Sequence, residues 1–327
     1  MRRRAIRKSR APSAFGELLA IVLDCTSDTP RPYRGRFAPT PSGPLHFGSL
    51  VAALGSYLEA RSRGGRWHVR VDDLDAPRVV PGAADAILRD LEHLGFQWDG
   101  PVVYQSRHHA GYHAALHELR KAGAAYPCSC SRKDIEQRAA FGSEGPIYPG
   151  WCRDGMAADR RARVWRMRVD RAAVAFDDGL LGAQCFDLAR DAGDFPLYRA
   201  DGIYSFHIAS AIDEMQLDIT DVVRGSDLLE SSARQIYLLT RLNRRIPRYV
   251  HLPIAVDAMG AKLSKQTGAT PIGTRRPAQT LTAVWRFLQQ RTPNELAHAS
   301  LEDWWAFATS NWSLEAVGPR RRARAPA

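Results

Sequence analysis

The first third of the chain alternates short apolar segments with amphipathic ones. Apolar residues spaced along one helix face predict helices over 45–61, 81–95 and 107–122. Between them, the segments GRFAP, WHVRVDD and VVYQS have the short apolar or alternating pattern of strands. A strand–helix repeat of this kind predicts a parallel sheet with right-handed crossovers. Nucleotides bind such sheets at the carboxyl ends of the strands.

This repeat is interrupted between residues 123 and 195. That stretch holds four of the five cysteines, a basic run and short β-like pieces, so we interpret it as an insertion. The pattern returns in SFHIASAIDEM, ITDVVRGSDLL, SARQIYLLTRLN and RYVHLPIAV. The predicted organisation is a basic, flexible extension (1–33), the first half of an α/β nucleotide-binding domain (34–122), the insertion (123–195), the second half of that domain (196–270), and a short helical C-terminal region with a basic tail (271–327).

Composition narrows the class of protein. The 327 residues are 45% hydrophobic, without the roughly 18–20 consecutive apolar residues that a membrane helix needs, so we expect a packed core and no membrane span. The N-terminus resembles a secretory signal, but Glu17 and Asp24 interrupt its apolar part. An odd number of cysteines is atypical of a secreted disulfide framework. We therefore expect a cytoplasmic protein.

The net charge of +11 resides mainly at the two ends of the chain. Six of the first ten residues are basic and the tail GPRRRARAPA carries four arginines, which leaves the body nearly neutral. Basic tails are typical of proteins that contact nucleic acid, but disordered, solubilising ends have the same composition. Charge therefore permits an RNA partner without identifying one.

The segment PLHFGSL, at the start of the first predicted helix, is a candidate phosphate-binding corner. Gly48 would let a flat ring or a phosphate approach the backbone, and the N–H groups of the first helical turn attract anions. His46 and Ser49 would add side-chain donors. In the alternative interpretation, Ser49 caps the helix and His46 packs against the sheet.

The segment GAKLSKQTGA is a second candidate for phosphate contact. Lys262 and Lys265 lie in a glycine-flanked loop that could close on a triphosphate and neutralise the charge of departing pyrophosphate. A solvated charged turn would have a similar sequence.

The cysteines of the insertion have a spacing that suits a metal site. Cys128, Cys130 and Cys152 offer three thiolates, which with one further donor match a tetrahedral, structural zinc site. Tyr148, Asp154 or a water could supply the fourth position. The alternative is a set of buried free cysteines.

Charged residues follow two of the predicted strands. Asp72, Asp73 and Asp75 come directly after WHVRV, where they could meet an amino group or a ribose. Arg224 lies at the end of another strand, where its guanidinium could bind a carboxylate in a fork. Surface turns have similar sequences, so neither signal is specific by itself.

In combination, these segments resemble one family. HxGS at the first strand–helix junction, with KLSK far downstream, resembles the HIGH and KMSKS signatures of class I aminoacyl-tRNA synthetases. RGRFAPTPSGPLHFGSL, VRVDDLDAPR, VVRGSDLL and HLPIAVDAMGAKLSKQ are similar to the glutamyl/glutaminyl branch, over roughly residues 34–290. The resemblance implies a Rossmann-like HUP nucleotide-binding fold with a parallel sheet and a zinc-containing insertion. It also implies ATP as a substrate, with Mg²⁺ bridging the phosphates.

Within that branch, the chain resembles the truncated family of glutamyl-Q tRNA(Asp) synthetases. Fewer than 65 residues follow Lys265, too few for the helical anticodon-binding region of a full glutamyl enzyme. The serine of HFGS, the word KLSKQ and the cysteine–tyrosine cluster also match. The resemblance implies activation of L-glutamate by ATP without tRNA. Transfer of glutamate to the queuosine base in the anticodon of tRNA(Asp) would follow, and we expect a monomer.

The resemblance also implies roles for individual residues. Those implied to line the glutamate pocket are Arg36, Phe37, Ala38, Pro39, Thr40, Asp72, Phe206 and Arg224. Those implied to contact ATP or act in catalysis are His46, Gly48, Ser49, Lys262 and Lys265. The implied zinc ligands are Cys128, Cys130, Tyr148 and Cys152.

Two of these positions depart from the family pattern. Asp72 stands where the glutamyl enzymes have glutamate, as in the glutaminyl enzymes, and Phe206 stands where a tyrosine is expected. A pocket that lacks a polar partner discriminates less well between substrates. Three alternatives therefore stay open: a ligase with glutamine-like specificity, a pantothenate-synthetase-like nucleotidyltransferase, and a non-catalytic, zinc-stabilised RNA-binding module.

Overall fold

The computed structural model describes residues 19–22, 31–142, 145–170, 172–263 and 276–325. The helices are α1 (Phe47–Arg61), α2 (Ala83–His93), α3 (His109–Lys121), α4 (Arg132–Arg138), α5 (Leu188–Asp191), α6 (Phe206–Gln216), α7 (Leu229–Arg241), α8 (Pro277–Phe287), α9 (Leu301–Asn311) and α10 (Leu314–Val317). The strands are β1 (Leu19–Val22), β2 (Arg34–Phe37), β3 (Arg66–Val71), β4 (Val103–Tyr104), β5 (Ala125–Cys128), β6 (Ala140–Gly142), β7 (Gly145–Ile147), β8 (Val164–Met167), β9 (Ala172–Asp178), β10 (Gly182–Asp187), β11 (Pro196–Tyr198), β12 (Asp221–Gly225), β13 (Arg248–Leu252), β14 (Ile254–Val256) and β15 (Arg322–Arg324).

The predicted parallel strands form the centre of the fold. β2, β3 and β4 pair in parallel, and so do β12 and β13. The N–H of Thr220, just before β12, donates to the carbonyl of Arg34 at 3.0 Å, which brings the two halves side by side. The prediction of an α/β fold with a parallel sheet is therefore confirmed.

Helices cover both faces of these strands. Val223 and Val250 pack in a cluster with α1, α2 and the C-terminal helices, whereas their neighbours Val222 and Tyr249 pack with α3, α6 and α7. Successive side chains of a strand point to opposite faces. The two hydrophobic clusters therefore lie on opposite sides of the sheet, as a doubly wound fold requires.

The predicted helices of the first half are confirmed, with ends one or two residues inside the predicted ranges. The segment RYVHLPIAV differs, because it forms two strands, β13 and β14, instead of one. Pro253 separates them, since proline has no N–H to contribute to a strand ladder.

Parts of the two predicted basic ends belong to sheets. β1 pairs in parallel with β9 over Leu19–Val22, so this part of the predicted flexible extension is a strand. β15, within the predicted basic tail, pairs in parallel with β14. The basic composition of β15 gives no sign of its pairing, because the hydrogen bonds between strands are made by the backbone and not by the side chains.

The C-terminal helices complete the core beside α1. Trp285 and Trp304 are fully buried. The indole of Trp312 donates to a carboxylate oxygen of Glu59 in α1 at 2.8 Å. Within the described ranges, no helix is long and apolar enough to cross a membrane.

The insertion is built from short antiparallel pieces. Its strands β5 and β8 form one sheet with β11, which begins directly after the insertion. Within the insertion, β9 pairs with β10, and β6 pairs with β7. A third, small hydrophobic cluster within it contains Cys128, Cys130, Tyr148 and Cys152.

Candidate active site and metal cluster

A cavity of about 670 Å³ opens at the carboxyl ends of β2, β3 and β12. It is lined by all the described residues predicted from the sequence for glutamate, ATP or catalysis, which are Arg36, Phe37, Ala38, Pro39, Thr40, His46, Gly48, Ser49, Asp72, Phe206, Arg224 and Lys262. Lys265, also predicted, lies outside the described residues. Tertiary structure thus brings together side chains from distant parts of the sequence. The individual roles of these residues stay predictions.

Three buried arginines lie at this edge of the sheet. Arg36, Arg70 and Arg224 are each the next-to-last residue of β2, β3 and β12 respectively, and each is at most 5% exposed. Because the strands are parallel, equivalent positions bring three guanidinium groups to one end. Buried charges of this kind are costly unless other groups compensate them.

Carboxylates compensate two of the three arginines. Arg36 donates from Nε and Nη2 to Oε1 of Glu214, at 3.0 and 2.8 Å. Arg70 forms a fork with Asp72, with Nε–Oδ1 and Nη2–Oδ2 distances of 2.7 and 3.2 Å. Burial alone would raise the pKa of Glu214, but the positive charges of Arg36 and Arg70 lower it. Glu214 is therefore ionised at neutral pH.

Arg224 has no such partner. Its Nη2 atom donates to the Ser232 hydroxyl at 2.6 Å and to Oε1 of Gln235 at 2.8 Å, both uncharged. It makes no ion pair with a carboxylate in the described part of the chain, and its buried Nε has no hydrogen-bond partner there. The charge of Glu214 acts on Arg224 without forming an ion pair with it. A buried guanidinium that faces a cavity with only uncharged hydrogen-bond partners is suited to an anionic ligand.

The PLHFGSL corner lies at the other side of the cavity. His46 is the N-cap of α1, and its Nδ1 accepts the N–H of Ser49 at 3.4 Å. The alternative interpretation, in which Ser49 caps the helix, is therefore wrong about the cap, because the N-cap of α1 is His46. In a neutral imidazole whose Nδ1 accepts, the proton is on Nε2, which is then a donor. A Cβ at Gly48 would lie 3.2 Å from the His46 ring and 3.5 Å from the Leu263 carbonyl, so glycine keeps this corner open.

Lys262 reaches the cavity from the loop after β14. Its Nζ forms an ion pair with Asp227 at 2.5 Å and stays half exposed. Of the three aspartates that follow β3, only Asp72 lines the cavity. Asp73 instead accepts the N–H and hydroxyl of Ser106, and Asp75 pairs with Arg199.

The three cysteine sulfurs of the insertion lie within 4.8 Å of one another. The Tyr148 hydroxyl lies 3.4 Å from the sulfur of Cys128 and of Cys130, and the sulfurs of Cys130 and Cys152 are 3.7 Å apart. A tetrahedral ion with bonds of about 2.3 Å to sulfur and 2.0 Å to oxygen would separate its ligands by about 3.5–3.8 Å. These four atoms therefore fit a metal ion. Asp154, the other protein donor considered, is fully exposed beside Arg168.

Hydrogen bonds favour the thiolate form of Cys152, one of these three cysteines. Burial alone would raise the pKa of Cys152, but hydrogen bonds from Tyr148 and Ser129 lower it to about 7. A thiolate is the form that binds a metal. The buried position of the cluster suits a structural site and not a catalytic one.

Sequence reasoning missed Arg70, Asp213 and Glu214. The sequence contained a sign of each of them. Arg70 stands between valines in a strand, and Asp213 and Glu214 follow the apolar residues of α6. Asp213 accepts hydrogen bonds from Tyr112 and Gln105, and it lies 3.8 Å from Arg70. The three residues supply the buried charge network behind the cavity.

The chain is similar in sequence to known proteins. The family model of the class I tRNA synthetase (E and Q) catalytic domain matches residues 33–279. The chain is 51% identical to a glutamyl-Q tRNA(Asp) synthetase of Dechloromonas aromatica, over 89% of this chain and 97% of that relative. It is also 51% identical to one of Chromobacterium violaceum, over 87% of this chain and 95% of that relative.

Among solved structures, the fold is similar to a glutamate-tRNA synthetase from Elizabethkingia anophelis. The TM-score is 0.77 at 23% identity, over 91% of this chain and 68% of that one. This likeness concerns the fold, including the parallel sheet and the helices on both its faces. From the family model and the identity to these relatives, the chain belongs to the glutamyl-Q tRNA(Asp) synthetase family, and it is a ligase of the class I aminoacyl-tRNA synthetase type.

Proposed function

We propose that this enzyme activates L-glutamate with ATP in the absence of tRNA and transfers it to the queuosine base in the anticodon of tRNA(Asp). The names of its relatives support the substrate pair. The observation that carries the proposal is the buried Arg224, which lines the cavity without a carboxylate partner among the described residues. An amino acid with two carboxylates would supply the missing negative charge.

Glutamate is proposed to lie between the three arginines and Phe206. Arg224 and Arg36 would bind its carboxylates, and Asp72 would face its ammonium group. Asp72 is held by Arg70, and burial raises the pKa of Asp72 despite that ion pair. This pocket offers positive charge for an acidic side chain, which favours glutamate over glutamine.

ATP is proposed to lie over Gly48, at the N-terminus of α1. The first-turn N–H groups and the Nε2–H of His46 would donate to its phosphates. Lys262, and Lys265 outside the described residues, would neutralise charge that develops on the pyrophosphate. Mg²⁺ would bridge the phosphates, and in the described residues only the cysteines form a cluster suited to a metal.

The chemistry is an in-line displacement followed by transfer. An oxygen of the glutamate α-carboxylate attacks the α-phosphorus, the bond to the bridging oxygen breaks, and pyrophosphate leaves. A hydroxyl of the queuosine cyclopentene ring then attacks the carbonyl of the adenylate, and AMP leaves. The chain contributes positioning and fixed positive charge, which are the main sources of catalysis in reactions of this kind.

The metal held by Cys128, Cys130, Cys152 and Tyr148 is proposed to be zinc. Zn²⁺ prefers sulfur ligands and tetrahedral geometry. When bound, it would join β5 to the loop that carries Tyr148 and so stabilise the insertion.

Glutamate-dependent ATP–pyrophosphate exchange without tRNA tests the first step. We expect exchange with glutamate and little with glutamine, aspartate or pantoate. Exchange with glutamine alone would replace the proposal by the glutamine-type alternative, and exchange with pantoate alone by the pantothenate-synthetase-like one.

Charging of tRNA(Asp) with and without queuosine tests the second step. We expect labelled glutamate on the modified tRNA only. Equal charging of both tRNAs would refute the queuosine assignment.

A further inference from the structure

A second cavity, of about 650 Å³, lies between α8 and β15. Four arginines line it, and no acidic residue is among its described lining. The arginines are Arg286, Arg320, Arg322 and Arg324. We refer to this cavity as the arginine groove.

Backbone pairing fixes two of these arginines in place. β15 runs parallel to β14, with Arg322 opposite Ile254 and Arg324 opposite Val256. Within β15, Ala323 packs on the core, whereas Arg322 and Arg324 are exposed. Residues two apart on a strand share a face and are separated by about 6.6 Å. The basic tail therefore presents an ordered pair of cations.

The arginines of the groove have no acidic partner in the described part of the chain. Arg286, Arg322 and Arg324 make no ion pair with a carboxylate in the described ranges, and Arg320 donates to the backbone carbonyl of Val317. Other exposed arginines of this protein do have such partners. Arg190, for example, pairs with Asp191 at 2.8 Å. Several unpaired cations along one groove suit a polyanion, which can contact all of them at once.

The groove is one strand away from the candidate active site. Ile254 of β14 lines the first cavity, and its N–H donates to the carbonyl of Arg321 at 3.0 Å. Arg321 immediately precedes β15. A polyanion bound in the groove would therefore continue past the edge of the cavity where the reaction is proposed to take place.

We infer that the arginine groove binds the sugar–phosphate backbone of the tRNA substrate, without reading its sequence. This inference rests on the proposed function for the identity of the RNA. Arginine contacts with phosphate are charge-assisted and position a nucleic acid without selecting bases. The groove would hold the RNA while the first cavity holds the adenylate.

The test is the affinity of the R322Q/R324Q variant for tRNA(Asp) bearing queuosine and for an unmodified transcript. Glutamine keeps the length and polarity of the side chain and removes its charge. At about 0.1 M salt we expect the Kd to rise about tenfold for both RNAs, with the slope of log K against log salt less steep by about 1.5. The matched control is R190Q, which removes an exposed arginine outside the groove and should leave both quantities unchanged.

Glutamate-dependent exchange separates this inference from the proposed function, because it needs no RNA. We expect the R322Q/R324Q variant to keep the exchange activity of the wild type. Unchanged tRNA affinity and salt slope would overturn the inference, whatever the exchange assay gives. Absence of exchange in the wild type would instead refute the proposed function, while the binding measurement would still stand.

Two further measurements keep the test decisive. If R322Q/R324Q fails to fold, R286Q on α8 removes a groove charge from a different element, and we expect its Kd for tRNA to rise about threefold. Displacement of the RNA by millimolar inorganic phosphate would identify a site for a free phosphate and overturn the RNA assignment.

Discussion

The hydroxyl of Ser232 accepts a hydrogen bond from Nη2 of Arg224 at 2.6 Å. Ser232 also lies 2.8 Å from Nε2 of His251, whose Nδ1 lies 2.6 Å from a carboxylate oxygen of Asp178. A neutral His251 satisfies all three contacts, because Ser232 donates to Nε2 and Nδ1–H donates to Asp178. This chain of hydrogen bonds orients the one buried cavity arginine that lacks an ion pair with a carboxylate in the described residues.

Replacing Ser232 by alanine is expected to weaken glutamate binding. Loss of a hydrogen bond to a charged group costs about 1.5–3 kcal/mol, so we expect the KM for glutamate in the exchange reaction to rise at least about tenfold. The KM for ATP should change little, because Ser232 acts through Arg224. The matched control is S231A, the same substitution at the preceding buried residue of α7. Equal glutamate KM values in the two variants would contradict the positioning role.

His46 is expected to have two separable roles. Asparagine is a good N-cap, so H46N should keep the stability of α1 while removing the Nε2–H donor. We expect exchange to slow by about 100-fold in H46N, as for the loss of a donor to developing charge. H46A should lose activity to a similar extent and also about 1 kcal/mol of unfolding free energy. Full exchange activity in H46N would show that His46 is only a helix cap.

The metal cluster is expected to stabilise the insertion. We expect about one zinc ion per chain by elemental analysis, and loss of both metal and thermal stability in C152S. The control is C185S, because Cys185 is exposed and lies outside the cluster. A C152S variant with wild-type metal content would contradict the assigned ligands. Exchange activity should fall only as far as the folded fraction falls.

Stability is expected to decrease as the pH falls below about 6.5. Burial lowers the pKa of His251, although its hydrogen bond to Asp178 opposes this. Desolvation and the charges of Arg234 and Arg224 lower the pKa of His207 to about 3. The unfolded chain, with histidine pKa values near 6.5, therefore binds protons that the folded state excludes. The contribution is fully present above pH 7 and is lost on acidification.

Urea unfolding between pH 7.5 and 5 measures this effect. Each such histidine adds a slope of up to about 1.4 kcal/mol per pH unit below its unfolded pKa. The difference between wild type and H207Q isolates one histidine from the carboxylates and the metal site. H117Q, at an exposed position of α3, is the control and should follow the wild type. Identical pH profiles for H207Q and wild type would contradict the lowered pKa.

Local sequence patterns were sufficient to predict the helices and strands around the candidate active site. The spacing of Leu50, Leu54 and Leu58 predicted α1, and all three are fully buried. Residue types made the corner at Gly48 a candidate for phosphate binding, because a helix N-terminus and a glycine suit a phosphate. The family resemblance was needed to favour that role over an ordinary helix start. The cysteine cluster could also be predicted from the sequence, because cysteines at such spacing are typical of metal sites.

Contacts between distant segments could not be predicted in this way. Arg36 and Glu214 are 178 residues apart, and neither neighbourhood contains a sign of the other. Phe206 lines the cavity because α6 begins beside it, which depends on how α6 packs against α3 and α7.

The sequence by itself determined where most of the helices and strands of the α/β fold form, and which short segments are candidates for phosphate binding and metal binding. These properties depend on neighbours within a few residues, through side-chain periodicity and backbone geometry. Only the tertiary structure decided which of the three buried cavity arginines has no ion pair with a carboxylate among the described residues, and that part of the basic tail forms a strand beside β14. Burial and strand pairing are properties of the packed chain. A charged side chain costs free energy only after the surrounding segments exclude water from it, so its need for a partner appears only in the folded structure.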